Sequence, residues 1–316
     1  MSDDFVGHVE RGIAAAHALR LDEAIGCYLA ALRLRPDNAP VIAGLGLVLL
    51  AKGDYEAGFA FYEARKLFDQ DRIGGAGLPE WAGEPLDGRS LLVWAEQGLG
   101  DEIQMARYIP RLRGLGDVRL VASPPLHRLF GQLGVPLIGR DEAAPVPSAD
   151  LYVRNLSLPA VLKTSLETIP AAPYLTAPAG PKRGGIGFVW RGNPEHPNDA
   201  RRSLPSPALL DPLREAAELV DLQTPQGDFL DTAARIQALD LVITVDTAMA
   251  HLAGALGAPC WVMLPSYRTD WRWMTGRADS PWYPSLRLYR QEQPGDWTGV
   301  VARMRADLAA GLQDRR

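Results

Sequence analysis

Residues 239–265 read LDLVITVDTAMAHLAGALGAPCWVMLP: a short apolar run, a tight turn, a helical stretch and a second apolar run, with almost nothing between them. Leu241–Val245 is rich in β-branched residues and reads as a buried strand. Asp246, Thr247 and Ala248 make the turn into a helix spanning Thr247–Leu256, and Cys260–Leu264 reads as the next strand. Two short buried strands joined by a helix predict a parallel α/β sheet, whose ligands lie beyond the carboxyl ends of its strands. The helix start there offers free backbone N–H groups and a partial positive charge, the requirements for holding a diphosphate. Thr247 adds a hydroxyl, and His251 lies one turn further on, four residues from Thr247.

Working outward, the same alternation continues. Ile186–Trp190 and Leu219–Gln223 read as strands, Pro207–Glu218 and Asp231–Ala238 as helices, and Trp297–Leu312 as an amphipathic closing helix. Upstream, Leu91–Ala95 is an apolar run followed by the turn Gly98-Leu99-Gly100-Asp101 and a helical stretch, Glu102–Leu112. Val118–Ala122 reads as a strand, Pro125–Leu133 as a helix and Asp150–Val153 as a further strand. Two Gly/Pro-rich joins, Gly74–Ser90 and Thr176–Gly185, separate these blocks.

The N-terminus has another period. Gly12 pairs with Gly46, Ala24 with Gly58, Tyr28 with Tyr62 and Ala31 with Arg65, each 34 residues apart. Small residues at that spacing let helices cross closely, and LDEAIGCYLAALRLRPDN followed by DYEAGFAFYEARKLF resembles the tetratricopeptide repeat. Two repeats are fewer than the three or so that an array needs, so the rest of the chain is expected to cap them. The expected organisation is a tetratricopeptide-repeat helical module at 1–73, a linker at 74–90, a short first α/β unit at 91–178 and a second at 179–316.

Composition narrows the chemistry. Lys and Arg number 33 against 38 Asp and Glu, a net charge of −5, so no global basic field attracts nucleic acid. Cys27 and Cys260 fit no zinc or redox spacing, and His8, His17, His127, His196 and His251 are dispersed without metal-ligand spacing. Asp3, Asp4, Glu10 and Arg11 argue against a signal peptide, and the apolar run Val41–Ala51 is too short to span a bilayer. A cytoplasmic protein without a resident cofactor is expected. Gly98-Leu99-Gly100 lacks the third glycine of the dinucleotide fingerprint, Ile103 standing there, which argues against nicotinamide binding.

Four stretches together resemble the heptosyltransferase-type (family 9) glycosyltransferases: LLVWAEQGLGDEIQMARYIPRL, GFVWRGNPEHPNDARRSLP, DTAARIQALDLVITVDTAMAHLAGALGAP and DWRWMTGRADSPWYPSLRLYRQ. The whole chain resembles bacterial proteins that fuse tetratricopeptide repeats to such a domain. The resemblance implies a GT-B fold, a pair of Rossmann-type units of which the first is short here. It also implies metal-independent, inverting transfer of a sugar from a nucleotide-sugar, with nucleotide on the C-terminal unit and acceptor on the N-terminal one. Asp101 stands where the family has its catalytic carboxylate, beside Gln97, Gly98 and Gly100. Asp246, Thr247, Ala248 and His251 match the family turn that holds the donor, assisted by Arg191, Asn193 and Arg202, with His196, Arg201 and Arg268 as further candidates. A protein or peptide acceptor bound by the repeats fits this organisation.

Each motif also has a plainer reading. Asp and Thr are good helix N-caps anywhere, and a histidine inside a buried helix is usually packing. Asp101 after a glycine turn can be a cap, and the arginine pair a solvated loop. Asp69-Gln70-Asp71 looks like a metal-binding DxD but ends a repeat helix, where it reads as solvated charge. Trp271, Trp273 and Trp282 crowd one stretch and suit core packing better than base stacking. Two rivals to the transferase therefore stand: a non-catalytic repeat scaffold on a degenerate transferase core, and a nucleotide-sugar epimerase, which needs a second acid/base pair.

Overall fold

The computed structural model describes residues 4–68, 73–141, 143–178 and 180–313. The chain forms two compact units. The first holds the described residues up to Pro170 together with the short segment Asp270–Thr275; the second holds Ala171–Thr269 and the described residues from Gly276 onward.

The first unit opens with α1 (Phe5–His17), α2 (Leu21–Leu34), α3 (Ala39–Lys52) and α4 (Tyr55–Tyr62), continued by a 3₁₀ stretch Glu63–Leu67. Local chemistry sets the starts: Asn38 accepts the Val41 N–H ahead of α3, and Asp54 accepts the Ala57 N–H ahead of α4. The small residues spaced by 34 sit where helices cross. A Cβ on Gly12 would stand 2.7 Å from the Tyr28 ring, and one on Gly46 would stand 2.6 Å from the Tyr62 backbone nitrogen. Backbone cannot yield as a side chain can. Gly46→Ala is therefore expected to cost roughly 1–3 kcal/mol as overpacking, read as a lower urea midpoint; an unchanged midpoint would mean that α3 and α4 do not approach so closely.

A parallel sheet follows, built from β1 (Leu91–Trp94), β2 (Val118–Ala122), β3 (Leu137–Gly139) and β4 (Leu151–Arg154) in the order β3-β2-β1-β4. Every residue of β1 and β4 is buried, the pattern of parallel strands covered on both faces. The stretch 74–90 is not a free tether. Ile73, Trp81 and Leu86 are buried, the Trp81 N–H donates to the Tyr152 carbonyl (2.7 Å), and Glu80 pairs with Tyr152, so this segment covers the outer edge of β4. Short helices α5 (Leu99–Met105), α6 (Ile109–Leu112), α7 (His127–Phe130) and α8 (Leu158–Val161) complete the unit. The single helix expected over Glu102–Leu112 is split by a 3₁₀ turn at Ala106–Tyr108, because Pro110 has no N–H to donate to Ala106. The helix expected at Pro125–Leu133 is likewise α only over α7, with 3₁₀ turns on both sides.

In the second unit β5 (Ile186–Val189), β6 (Leu219–Asp221), β7 (Leu241–Val245), β8 (Cys260–Leu264) and β9 (Leu286–Arg290) form a parallel sheet in the order β6-β5-β7-β8-β9. Its helices are α9 (Asp199–Arg202), α10 (Phe229–Gln237), α11 (Ala248–Ala255) and α12 (Trp297–Gln313). The expected helix at Pro207–Glu218 is a 3₁₀ stretch, Pro207–Glu215, since Pro212 interrupts α-helical bonding. Trp297, Val300, Val301 and Met304 of α12 pack with Leu210, Leu213, Ile243, Val245 and Met263 into a core. Each such side chain contributes roughly 1.5–3 kcal/mol on burial. No helix among the described residues is long and apolar enough to cross a membrane.

Candidate functional site

The second sheet reverses its strand order between β5 and β7, and such a switch point opens a crevice at the carboxyl ends of the strands. Trp190–Asn193 leaves β5 there, and Asp246-Thr247 leaves β7. Thr247 is extended and caps α11, its hydroxyl accepting the Met249 N–H (3.3 Å) and lying 3.2 Å from Thr244 Oγ1. Ala248 is the first residue of α11. Arg202 donates to the Asp246 carbonyl (2.9 Å) and pairs with Asp199, which accepts the Ser203 hydroxyl (2.9 Å). Ser203 in turn accepts the Gly192 N–H (2.9 Å), and a Cβ on Gly192 would meet Arg202 at 2.6 Å. Arg202 thus bridges the ends of both strands that flank the switch point.

Around this frame lie further expected residues. The Arg191 guanidinium sits 4.9 Å above the Trp190 ring, and its backbone N–H donates to Gln223 (3.1 Å). Asn193 accepts the Glu195 N–H, His196 Nδ1 accepts the Asn198 N–H, and Asn198 donates to the Arg268 carbonyl (3.0 Å). Arg201 stacks 4.4 Å over Tyr267, and Arg268 holds a left-handed φ of 55°. These contacts bring Arg191, Asn193, His196, Arg201, Arg202, Asp246, Thr247, Ala248 and Arg268 to the same edge of the sheet. His251 is buried within the unit, its Nδ1 2.9 Å from the Tyr283 hydroxyl, with the two rings edge to face. Asp199, Ser203 and Gln223 were not singled out from sequence; the first two lie inside the quoted GNPEHPNDARRSLP.

The first unit carries the other group. Gln97 takes a left-handed φ of 61° after β1, donates to the Tyr62 hydroxyl (2.8 Å) and delivers the chain to Gly98, the N-cap of α5. Gly100 is in the first turn of α5. Asp101 Oδ2 accepts the Gly98 N–H (3.0 Å), while Oδ1 accepts from the Arg272 guanidinium. Arg272 also donates to Gln104 and to both Asp270 oxygens (3.1 and 3.0 Å). Burial pushes the Asp101 carboxyl above the ordinary carboxylate range; Arg272 opposes that rise and Asp270 adds to it. Burial works against the Arg272 charge, but Asp270 and Asp101 outweigh it and keep the guanidinium firmly protonated. Neighbouring Glu102 faces elsewhere, accepting the Ser123 N–H (2.8 Å) and hydroxyl (2.6 Å), and burial raises its carboxyl too.

The first sheet has its own switch point, between β1 and β4, and the helical module is seated on it. Arg65 forks onto both Glu96 oxygens (2.9 Å each) and reaches Ser157 (3.0 Å), while Asn155 accepts the Glu96 N–H (3.1 Å). Both partners of this ion pair are almost fully buried, Arg65 at 3% and Glu96 at 6% side-chain exposure. Trp271, Trp273 and Trp282 are buried, Trp271 standing edge-on to Tyr55 and Phe59. Among the described residues no group of three or more His, Cys, Asp or Glu side chains is arranged to hold a metal ion. Asp69-Gln70-Asp71 lies outside the described residues.

No protein-family model matches the chain. The chain is 28% identical to the protein FlbA of Caulobacter vibrioides over 331 residues, covering 84% of this chain and 54% of FlbA. It therefore spans about half the length of the curated relative it matches. Among solved structures, the glycosyl transferase family 9 protein of Veillonella parvula matches with a TM-score of 0.50 and 12% identity, covering 75% of this chain and 100% of that one. The iron-containing dodecameric glycosyltransferase TibC of enterotoxigenic E. coli H10407 matches with a TM-score of 0.46 and 14% identity, over 71% of this chain and 78% of that one. The parallel α/β sheets of this chain, which follow a helical N-terminus, form a fold similar to that of the family 9 glycosyltransferase from Veillonella.

Proposed function

We propose that the chain is a glycosyltransferase that takes its sugar from a nucleotide-sugar, without a metal and with inversion. The observation that carries this reading is the β7–α11 turn: Thr247 caps a helix that starts at the switch point, and Arg202 is fastened beside it to the Asp246 carbonyl. The positive end of a helix and arginines gathered at one strand end suit a diphosphate. Asp101, above the ordinary carboxylate range, suits a general base. In the reaction Asp101 takes the acceptor hydroxyl proton, the acceptor oxygen bonds to the sugar's anomeric carbon, and the bond from that carbon to the diphosphate breaks. The leaving nucleoside diphosphate carries away the electron pair, stabilised by the start of α11 and by Arg191, Arg201 and Arg202. Asn193, His196 and His251 complete the donor side, His251 by supporting α11 through Tyr283. The helical module, read as tetratricopeptide repeats, recruits a protein or peptide acceptor.

The Asp101–Arg272 pair favours one second reading, a scaffold with no catalysis, because it already engages one carboxylate oxygen. A thermal-shift panel of nucleoside diphosphates and nucleotide-sugars, run in chelator and then in magnesium, separates the two. A donor at 100 times its dissociation constant stabilises a protein by about 2.7 kcal/mol, and at roughly 2–4 °C per kcal/mol the midpoint rises by several degrees. The transferase reading expects such a rise with one nucleotide in chelator; no rise across the panel leaves the scaffold.

A further inference from the structure

The segment Asp270–Thr275 belongs to the first unit, although the chain on either side of it belongs to the second. Its Arg272 lies 171 residues from Asp101 and is 7% exposed, with Asp101 at 18% and Asp270 at 34%. The guanidinium has three side-chain partners, one for each nitrogen: Gln104 on Nε, both Asp270 oxygens on Nη1, and Asp101 on Nη2. It lies 4.5 Å over the ring of Trp271, which Tyr55 and Phe59 hold edge-on. A planar fork bonded on every nitrogen and stacked on a held ring cannot swing. The Asp101 carboxylate is therefore fixed at both ends, by Gly98 N–H on Oδ2 and by Arg272 on Oδ1.

We propose that Arg272 and Asp270 are positioning residues for Asp101: Arg272 fixes the carboxylate, and Asp270 shares the guanidinium so that Asp101 is not held at full ion-pair strength. This rests on the reading of Asp101 as the base. A lone arginine against a buried aspartate would make it a poor base, since the ion pair favours the ionised form and depresses its proton affinity. Two carboxylates on one guanidinium leave the cluster with one net negative charge, and the proton affinity of the more buried carboxylate is restored. Among the described residues, Tyr62 of α4 also faces this cluster; burial raises its hydroxyl above the ordinary phenol range, so it stays neutral and contributes no charge.

The base works ionised, so rate falls as pH drops through its midpoint. Removing the cation with Arg272→Met moves that midpoint and the acidic limb of the pH–rate profile up, by roughly 1–3 pH units. Removing the anion with Asp270→Asn moves both down. Arg272→Lys keeps the charge and loses the fork, so kcat falls at an unchanged donor KM and the limb stays nearer that of the wild type.

The test is ¹³C-carboxyl NMR titration of Asp101 in the full chain, assigned by its disappearance in Asp101→Asn, alongside pH–rate profiles. Opposite displacements of the Asp101 midpoint in Arg272→Met and Asp270→Asn, followed by the acidic limb, support the proposal. A midpoint indifferent to both substitutions overturns it. Should Arg272→Met fail to fold, Asp270→Asn carries the test, since a purely structural role would not lower the Asp101 midpoint. Midpoints that move as expected in a protein that transfers no sugar from any nucleotide-sugar overturn the base reading and leave the charge cluster standing.

Discussion

Asp101→Asn is expected to slow sugar transfer by roughly 10²–10⁴-fold, the usual contribution of a general base, while leaving the dissociation constant of the donor unchanged. The residues assigned to the donor diphosphate all lie in the second unit, beyond the ends of β5 and β7, whereas Asp101 lies in the first. Asparagine keeps the shape and can still accept the Gly98 N–H, and Arg272 keeps Asp270 and Gln104 as partners. The proton acceptor is what disappears. Single-turnover kinetics beside a donor titration checks the split; equal losses in both would make Asp101 a helix cap and nothing more.

The second large effect concerns the seating of the helical module. Arg65→Met is expected to cost the first unit roughly 3–5 kcal/mol, because it removes the guanidinium fork from a buried carboxylate. Glu96 is at 6% exposure, and with Arg65 gone its oxygens lose both charged hydrogen bonds. The double variant Arg65→Met/Glu96→Leu should recover most of the loss, since the expense lies in keeping a buried carboxylate after its arginine is removed. Urea unfolding of the full chain measures this. A loss under about 1 kcal/mol would instead describe a solvent-screened pair and would separate the module from the sheet energetically.

How far the sequence anticipated this depended on the range of the interactions. β1, β2, β5, β7 and β8 were legible because a parallel strand buried on both faces is simply an apolar run. The turn from β7 into α11 was legible because N-cap chemistry is local to Thr247 and Met249. Pro110 and Pro212 were visible in the sequence, and their effect could have been read as breaks in the helices that contain them. β9 was missed although Leu286, Arg287, Leu288 and Tyr289 alternate in character; β3, a strand of three residues directly after Pro136, gives almost no signal. The Gly/Pro stretch 74–90 looked like a linker because composition does not show that Trp81 is buried or that its N–H bonds to the Tyr152 carbonyl.

The site divides the same way. The residues proposed to hold the donor diphosphate sit in two short stretches, 190–203 and 246–248, so their gathering at the carboxyl ends of β5 and β7 followed from topology alone. The partners of Asp101 and Glu96 did not. Arg272 is 171 residues from Asp101 and Arg65 is 31 from Glu96, and neither periodicity nor spacing links such pairs. The sequence did hold one pointer, the DWRWM stretch, but its tryptophans drew the reading toward packing while its arginine went unremarked.

The start of α11 and the arginines beside it are proposed to hold a diphosphate. Calorimetric titration of the full chain in chelator, with a nucleoside diphosphate and with the same nucleoside lacking phosphates, tests it most directly. Charge-assisted bonds to a phosphate are worth roughly 1.5–3 kcal/mol each, so the diphosphate is predicted to bind at least tenfold more tightly than the nucleoside, and more weakly as salt rises. Equal affinity for the two, or no binding of any nucleoside diphosphate, would contradict it.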